Sequence, residues 1–394
     1  MTLTTERQQH HAGRNRLGAW LSIVLVVIGL ELRQRLRTTR WKVTLGALFV
    51  FVSIVVFGSL YLTVGVFEAT YKIWATNFYM ILVSILLFCG IVLAPTLSAT
   101  SINGDRKDAT LAVVQDTTIT HWQLALGKLI GNWASSMTLV VLALPYLIWA
   151  VIAAPYGIWP GLLGICVVSV LFACYCGVGL GLSAVSARPA GSAVLTQSVV
   201  FFLILGLPAI FGLLFPSTAH RHEVTRPHES LVSAAPNDYE NAEWKCEDRT
   251  ENEEFHHTER TWWLLAPNPF LLVADVVADH DYPDTYSPRL GSSDYNTDTP
   301  DPSAAQSIAA ALSSSRAGPF IADRYCGDRY QLSNDQARAQ SYWYRSNEHE
   351  LSRIGDSWYI GLAITIVIGG IGLIIAARRL RVPIRKLPRG IRIA

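Results

Sequence analysis

The sequence predicts an all-α polytopic membrane protein: six transmembrane helices, an N-terminal interfacial helix and a large external loop between spans 5 and 6. Three observations predict it. Only 16% of the residues are charged while 51% are hydrophobic, against about 25% charged in an ordinary soluble domain. The charges are unevenly spread, and residues 43–67, 73–100, 129–155, 156–187, 189–219 and 357–377 carry none. Basic residues gather in the short segments on one side of these runs.

Each run supplies the ~20 apolar residues that cross a ~30 Å hydrocarbon core as a helix. A helix is required because lipid offers no partner to an open backbone group. The continuous stretch 129–187 is interrupted by Pro145, Pro155, Gly157 and Pro160, and is read as two spans joined by a tight turn near 154–160. Pro208 is expected to bend span 5. The chain then divides into 1–42, a cytoplasmic N-terminus; 43–219, spans 1–5; 220–356, an external block; and 357–394, span 6 with a basic tail.

Orientation follows from Lys and Arg in the short loops. Arg33, Arg35, Arg37, Arg40 and Lys42 precede span 1. Arg106, Lys107 and Lys128 fall between spans 2 and 3, Arg188 between spans 4 and 5, and Arg378, Arg379 and Arg381 follow span 6. On the other side the short loops offer only Lys72. Both termini are therefore expected in the cytoplasm of a multi-pass plasma-membrane protein. Residues 14–30, an apolar stretch behind Arg14 and Arg16, resemble a signal peptide but lack a small-residue cleavage site, and the stretch is too short to read as a seventh span. In 31–43, Leu32 and Leu36 share one face and Arg33, Arg37 and Arg40 another, as in an interfacial helix on an anionic leaflet.

In the external block, Cys246 and Cys326 are the only cysteines, and an oxidising exterior predicts a disulfide between them. Two free thiols are the alternative. Residues 261–277 are apolar but broken by Pro267 and Pro269. They are read as a re-entrant or interfacial helical pair, with the buried core of a small external subdomain as the alternative. Much of 279–315 reads as loosely ordered. His220, His222, His228, His256 and His257 match no zinc spacing.

Several chemistries are excluded. There is no G-x-x-x-x-G-K-[ST], since Gly127-Lys128 runs into Leu129, so no phosphate cradle of that kind exists here. No Asp, Glu, Lys, Arg or His lies within a span except at its edges. That disfavours ion-coupled transport and an enzyme acting inside the bilayer. Catalytic, cofactor-binding and metal-ligating residues are all expected to be absent, as is a nucleic-acid partner.

The polar island between spans 2 and 3 is read as a short cytoplasmic helix at about 103–118. Asp105 would be its N-cap, with Asp108 assisting. Leu111 and Val114 would supply an apolar edge, and Gln115–Thr118 would break the helix. Thr120, with Gln123 three residues on, would cap the helix that becomes span 3, and Lys128 would sit at the membrane boundary. A solvated loop with a snorkelling Lys128 is the other reading.

The stretch APTLSATSINGDRKDATLAVVQDTTITHWQLALGKLIGNW, 94–133, resembles the corresponding segment of the ABC type-2 permease family. Asp105-Arg106, Thr110-Leu111, Thr117, Thr120 and Gly127-Lys128 stand in the family's places. Asp108 replaces a frequent Glu, Ala109 a frequent Gly and Thr118 the usual Pro. The resemblance extends to the basic helix before span 1, the six-span layout and the W-x-x-x-x-N-P-F-x-x-x-x-D pattern, but covers the external block only at 262–275.

This resemblance implies the membrane subunit of an ATP-driven exporter in a prokaryotic plasma membrane. A second permease subunit, identical or homologous, would complete the pathway, and separate ATPase subunits would bind the ATP. Asp105, Arg106, Lys107, Asp108, Thr110, Leu111, Gln115, Thr117, Thr120, Gln123 and Lys128 would form the coupling element. Spans 2 and 5 would line the pathway, making Ser84, Cys89, Thr196 and Gln197 lining candidates. A membrane-anchored sensor or assembly scaffold with an external binding domain is the alternative function.

Overall fold

The computed structural model describes residues 3–108, 119–153, 157–235, 238–278, 302–326 and 342–381. They fall into two compact units, Met1–Leu205 with Ile360–Ala394, and Gly206–Tyr359. Six helices are long and apolar enough to cross a membrane: Thr39–Val66, Tyr71–Lys107, His121–Leu142, Ile158–Val185, Pro189–Thr218 and Trp358–Leu380. The six-span helical class is the one expected from the charge-free runs.

In the first unit, α1 spans Leu3–Leu36 and α2 spans Thr39–Leu60, the latter running on as a π-helical turn, Tyr61–Val66. The helix expected over 31–43 is therefore divided. Thr38 takes an extended conformation, and both its amide and its hydroxyl donate to Arg35 O, at 3.1 and 2.9 Å. A β-branched residue with a local hydrogen-bonding alternative ends α1 at this point.

Helices α3 (Tyr71–Ala99) and α4 (Ser101–Lys107) form one span bent at Thr100. The bend has a clear cause: Ser183 Oγ accepts from Ile102 N and Asn103 N, at 3.1 and 3.2 Å, displacing the usual helical acceptors. Span 3 is α5 (His121–Leu142), and α6 (Leu144–Ala153) follows after a break at Ala143. The expected single span over 129–155 is thus interrupted, since Pro145 cannot donate to the preceding turn. Span 4 is α7 (Ile158–Val185).

Helix α3 is central, packing most extensively on α7 and also on α5, α6 and α8 (Pro189–Phe201). Trp74, Phe78 and Trp149 stack at one end of it, and the Tyr79 hydroxyl donates to Gly161 O at 2.8 Å. A Cβ on Gly177 would meet Gly369 O at 2.5 Å and one on Gly181 would meet Gly372 Cα at 2.6 Å. These small residues let α7 cross the last span within the chain, so their close approach is intramolecular. By contrast, spans 1 and 5 bury only 11% and 17% of their apolar windows.

Span 5 continues from α8 through a π-helical turn, Phe202–Gly206, into α9 (Leu207–Leu214). The turn immediately precedes Pro208, whose missing N–H and bulky ring force the irregularity.

The second unit holds a long antiparallel hairpin, β1 (Ala219–Ala235) and β2 (Asp238–His256), in register from Ala219↔His256 to Ala235↔Asp238 with two irregularities. The chain before Cys326 is strapped to it. Thr225 N donates to Asp323 Oδ1, Arg324 N to Thr225 O and Cys326 N to Asp248 Oδ1. A Cys246–Cys326 disulfide closes the strap.

The same unit holds α10 (Pro269–Val277), α11 (Ala304–Ala317) and α12 (Tyr342–Leu351), with α11 packed against both of the others; the last span is α13 (Trp358–Leu380). The re-entrant pair expected over 261–277 is not formed. Two short 3₁₀ turns precede a single helix, whose Leu272, Val273, Val276 and Val277 are buried in the unit's own core. Residues 279–301 lie outside the described residues, but 304–317 is ordered as α11. Its start is a capping box in which Ser303 and Gln306 satisfy each other's backbone amides.

Candidate functional site

Among the described residues, the ion-paired side chains of the first unit gather where α1, α4 and α5 meet. The start of α5 is fixed by the expected capping box: Thr120 Oγ1 accepts from Gln123 N at 3.3 Å and Gln123 Oε1 from Thr120 N at 2.8 Å. The same glutamine donates from Nε2 to Trp20 O on α1 at 3.3 Å. One turn on, Gly127 and Gly131 allow α1 to lie against α5. A Cβ on them would meet Val27 Cγ1 at 2.6 Å and Glu31 Cβ at 2.7 Å.

Lys128 lies between these glycines and is only 3% exposed. Its ammonium is 2.6 Å from Glu31 Oε1 and 2.6 Å from Asp105 Oδ2, and it also donates to Ser101 O at 3.3 Å. Arg35 extends the network, 3.8 Å from Glu31 Oε2, donating to Leu97 O at 3.1 Å and to Asn132 Oδ1. Asn132 Nδ2 returns to Lys128 O at 2.8 Å. Two cations face two carboxylates, so the cluster is charge-balanced, as buried ions must be. Burial lowers the Arg35 guanidinium from its ordinary value, and Glu31 opposes that shift.

Two expectations are corrected here. Asp105 does not N-cap a separate helix: it lies in the last turns of α4, because the span continues through Thr100. The alternative reading of a snorkelling Lys128 in a solvated loop also fails, since Lys128 is 3% exposed and is the centre of a buried ion network. Sequence reasoning also missed Glu31 and Arg35. A signal existed, since Glu31 is the sole acid between Glu6 and Glu68, and Lys128 the sole charge between Asp116 and Arg188.

Beneath the network, Val27, Ile102, Leu124, Ala125, Leu180 and Ala376 form a common apolar core. Arg106 donates to Ala184 O at 3.1 Å, tying α4 to the end of α7. The Asn103 amide is buried and, among the described residues, neither of its polar atoms has a partner. Arg106, Lys107 and Asp108 are exposed. Thr110, Leu111, Gln115 and Thr117 lie outside the described residues.

The other candidates are separate from this cluster. Cys89 is buried on α3 and Ser84 half-buried. Thr196 is buried, its hydroxyl donating to Ser192 O, and Gln197 Nε2 donates to Ile91 O at 3.3 Å, joining α8 to α3. In the second unit His222 Nε2 is 2.9 Å from His257 Nε2, and His257 Nδ1 is 2.7 Å from Glu259 Oε1. Among the described residues, no group of three or more His, Cys, Asp or Glu is placed to hold a metal ion.

Six helices long and apolar enough to cross a membrane, with a buried ion network joining the N-terminal helix to the ends of spans 2 and 3, define a polytopic helical membrane protein. The family model described as ABC-2 family transporter protein matches residues 25–250. The chain belongs to that family, the membrane permeases of ABC transporters. The match covers α1 from Leu25, all of spans 1–5 and most of the hairpin. No characterised protein matches the chain significantly.

Proposed function

We propose that the chain is the permease subunit of an ATP-driven exporter, working with a second, identical or homologous, permease subunit and with separate ATPase subunits that bind the ATP. On this reading both termini are cytoplasmic, the membrane is a prokaryotic plasma membrane and the second unit faces outward. The observation that carries the proposal is the Lys128 hub, which binds α1, α4 and α5 to one another. A push on α4 would move spans 2 and 3 together with the N-terminal helix, because the three are joined by ion pairs. Arg106, Lys107 and Asp108 are the exposed charges that an ATPase would grip. The apolar faces of spans 1 and 5 would meet lipid or the second permease. Ser84, Cys89, Thr196 and Gln197 remain candidates for the pathway, with Gln197 also holding spans 2 and 5 together.

The test is coupling. The chain should co-purify with an ATP-binding subunit and hydrolyse no ATP alone. Lys107→Glu with Asp108→Lys should leave the spans folded while abolishing substrate-dependent stimulation of the partner's hydrolysis. Unchanged stimulation in that variant, or persistent failure to recover an ATPase under native conditions, would refute the reading.

A second reading, a membrane-anchored sensor or scaffold, draws support from the second unit, which has its own core and a disulfide-closed strap. It requires specific ligand or protein binding by the full chain with no ATPase present.

A further inference from the structure

We infer that the elbow joining α1 to α2 is a docking surface for the headgroups of anionic phospholipids. The elbow is the break at Thr38, where the helix stops and restarts within two residues. Five cations lie within ten residues of sequence, and the structure treats one differently. Arg35 turns inward to Glu31, Leu97 O and Asn132. Arg33, Arg37, Arg40 and Lys42 stay exposed, and among the described residues none has an ion pair or a side-chain hydrogen bond. The nearest acid in sequence, Glu31, is already engaged by Lys128 and Arg35. Four uncompensated positive charges therefore share one bend.

Two further features say what covers them. Leu30, Leu36 and Val43 are 55%, 42% and 65% exposed around the same bend. A surface that is both cationic and apolar fits a leaflet, where headgroups and acyl chains present both chemistries at one depth; a soluble acidic protein would leave the apolar side chains unmatched. Trp41 stands among the cations, and tryptophan favours headgroup depth. This inference rests on the protein's spanning a membrane and not on its coupling to an ATPase.

The experiment uses the full chain in neutral-detergent micelles containing equimolar phosphatidylcholine and phosphatidylglycerol. Retained lipid is counted by native mass spectrometry. The wild type should retain phosphatidylglycerol preferentially. Combined Arg37→Gln, Arg40→Gln and Lys42→Gln should reduce that preference at least tenfold, from about fivefold per cation near a charged surface. If the triple variant does not fold, Arg37→Gln alone should show the single-residue loss. Glycerol 3-phosphate and inorganic phosphate should not compete at concentrations matching the lipid. Equal competition by either would overturn the assignment to a membrane surface. So would undiminished preference in the variants, or an equal loss from Arg378→Gln with Arg379→Gln, which lower the charge elsewhere.

Discussion

Lys128 Nζ lies 2.6 Å from Asp105 Oδ2 and, on its other side, 2.6 Å from Glu31 Oε1. A single buried ammonium thus joins the end of span 2, the start of span 3 and the N-terminal helix. Removing it leaves two carboxylates facing each other with only Arg35 in support. Breaking a buried pair from one side costs about 3–5 kcal/mol. Lys128→Met should therefore lower the thermal unfolding temperature markedly. Adding Glu31→Gln and Asp105→Asn to it should recover much of the loss, because the uncompensated charges are gone. Additive losses in a double-mutant cycle would show that the three residues are not one network.

The approach of α1 to α5 gives a second test. A Cβ on Gly131 would stand 2.7 Å from Glu31 Cβ and one on Gly127 2.6 Å from Val27 Cγ1. Overpacking of this kind costs about 1–3 kcal/mol. Gly131→Ala should push α1 outward, lengthening the Glu31–Lys128 pair as well as crowding the helix. Amide hydrogen exchange should rise selectively in 20–36 while spans 2 and 4 stay protected. Gly104→Ala, with nothing within 4 Å of the added Cβ, is the control and should leave exchange unchanged.

The spans were legible because lipid forbids charge over a fixed length, so each run announces itself in composition. The Thr120–Gln123 box was legible because both partners lie on one turn. The ion network was not, since Glu31 and Lys128 are far apart in sequence and nothing local pairs them. Asp105 was misplaced because the helix before it does not stop at Thr100, where a side chain from another span, Ser183, takes over the backbone amides. The β1–β2 hairpin escaped notice for a different reason. Its strands are polar on both faces, so the alternation that marks a half-buried strand is missing, and only the Pro236-Asn237-Asp238 turn sequence hinted at it.

Cys246 and Cys326 close a loop with a sequence separation of 80. A cross-link over that length stabilises by about 4 kcal/mol through the entropy it removes from the unfolded chain. Reduction should lower the unfolding midpoint of the 206–359 unit without altering that of the spans, and both thiols should accept alkylating reagent only after reduction. Labelling without reductant would contradict the bond. Replacing both cysteines with serine should reproduce the effect of reduction.

Asp275 offers the sharpest separation of charge from packing in the second unit. It is fully buried, and its carboxylate accepts from Gly355 N at 2.9 Å and from Ser357 N and Trp358 N at 2.8 Å each. The last two are amides at the very start of α13, which have no partner within their own helix. Burial pushes the Asp275 carboxyl above its ordinary value, and the three amides and Arg316 pull it back. Asp275→Ala would orphan three buried donors, each worth about 1–3 kcal/mol when left unsatisfied. Asp275→Asn keeps the volume but turns one oxygen into a donor aimed at other donors, so it should rescue little. Asp275→Glu keeps the charge and misplaces it by one methylene, and should fall between the two. Exchange at 355–360 reports the loss directly. If Asp275→Asn proved as stable as the wild type, the three amides would have to be satisfied elsewhere, and Asp275 would not be what caps α13.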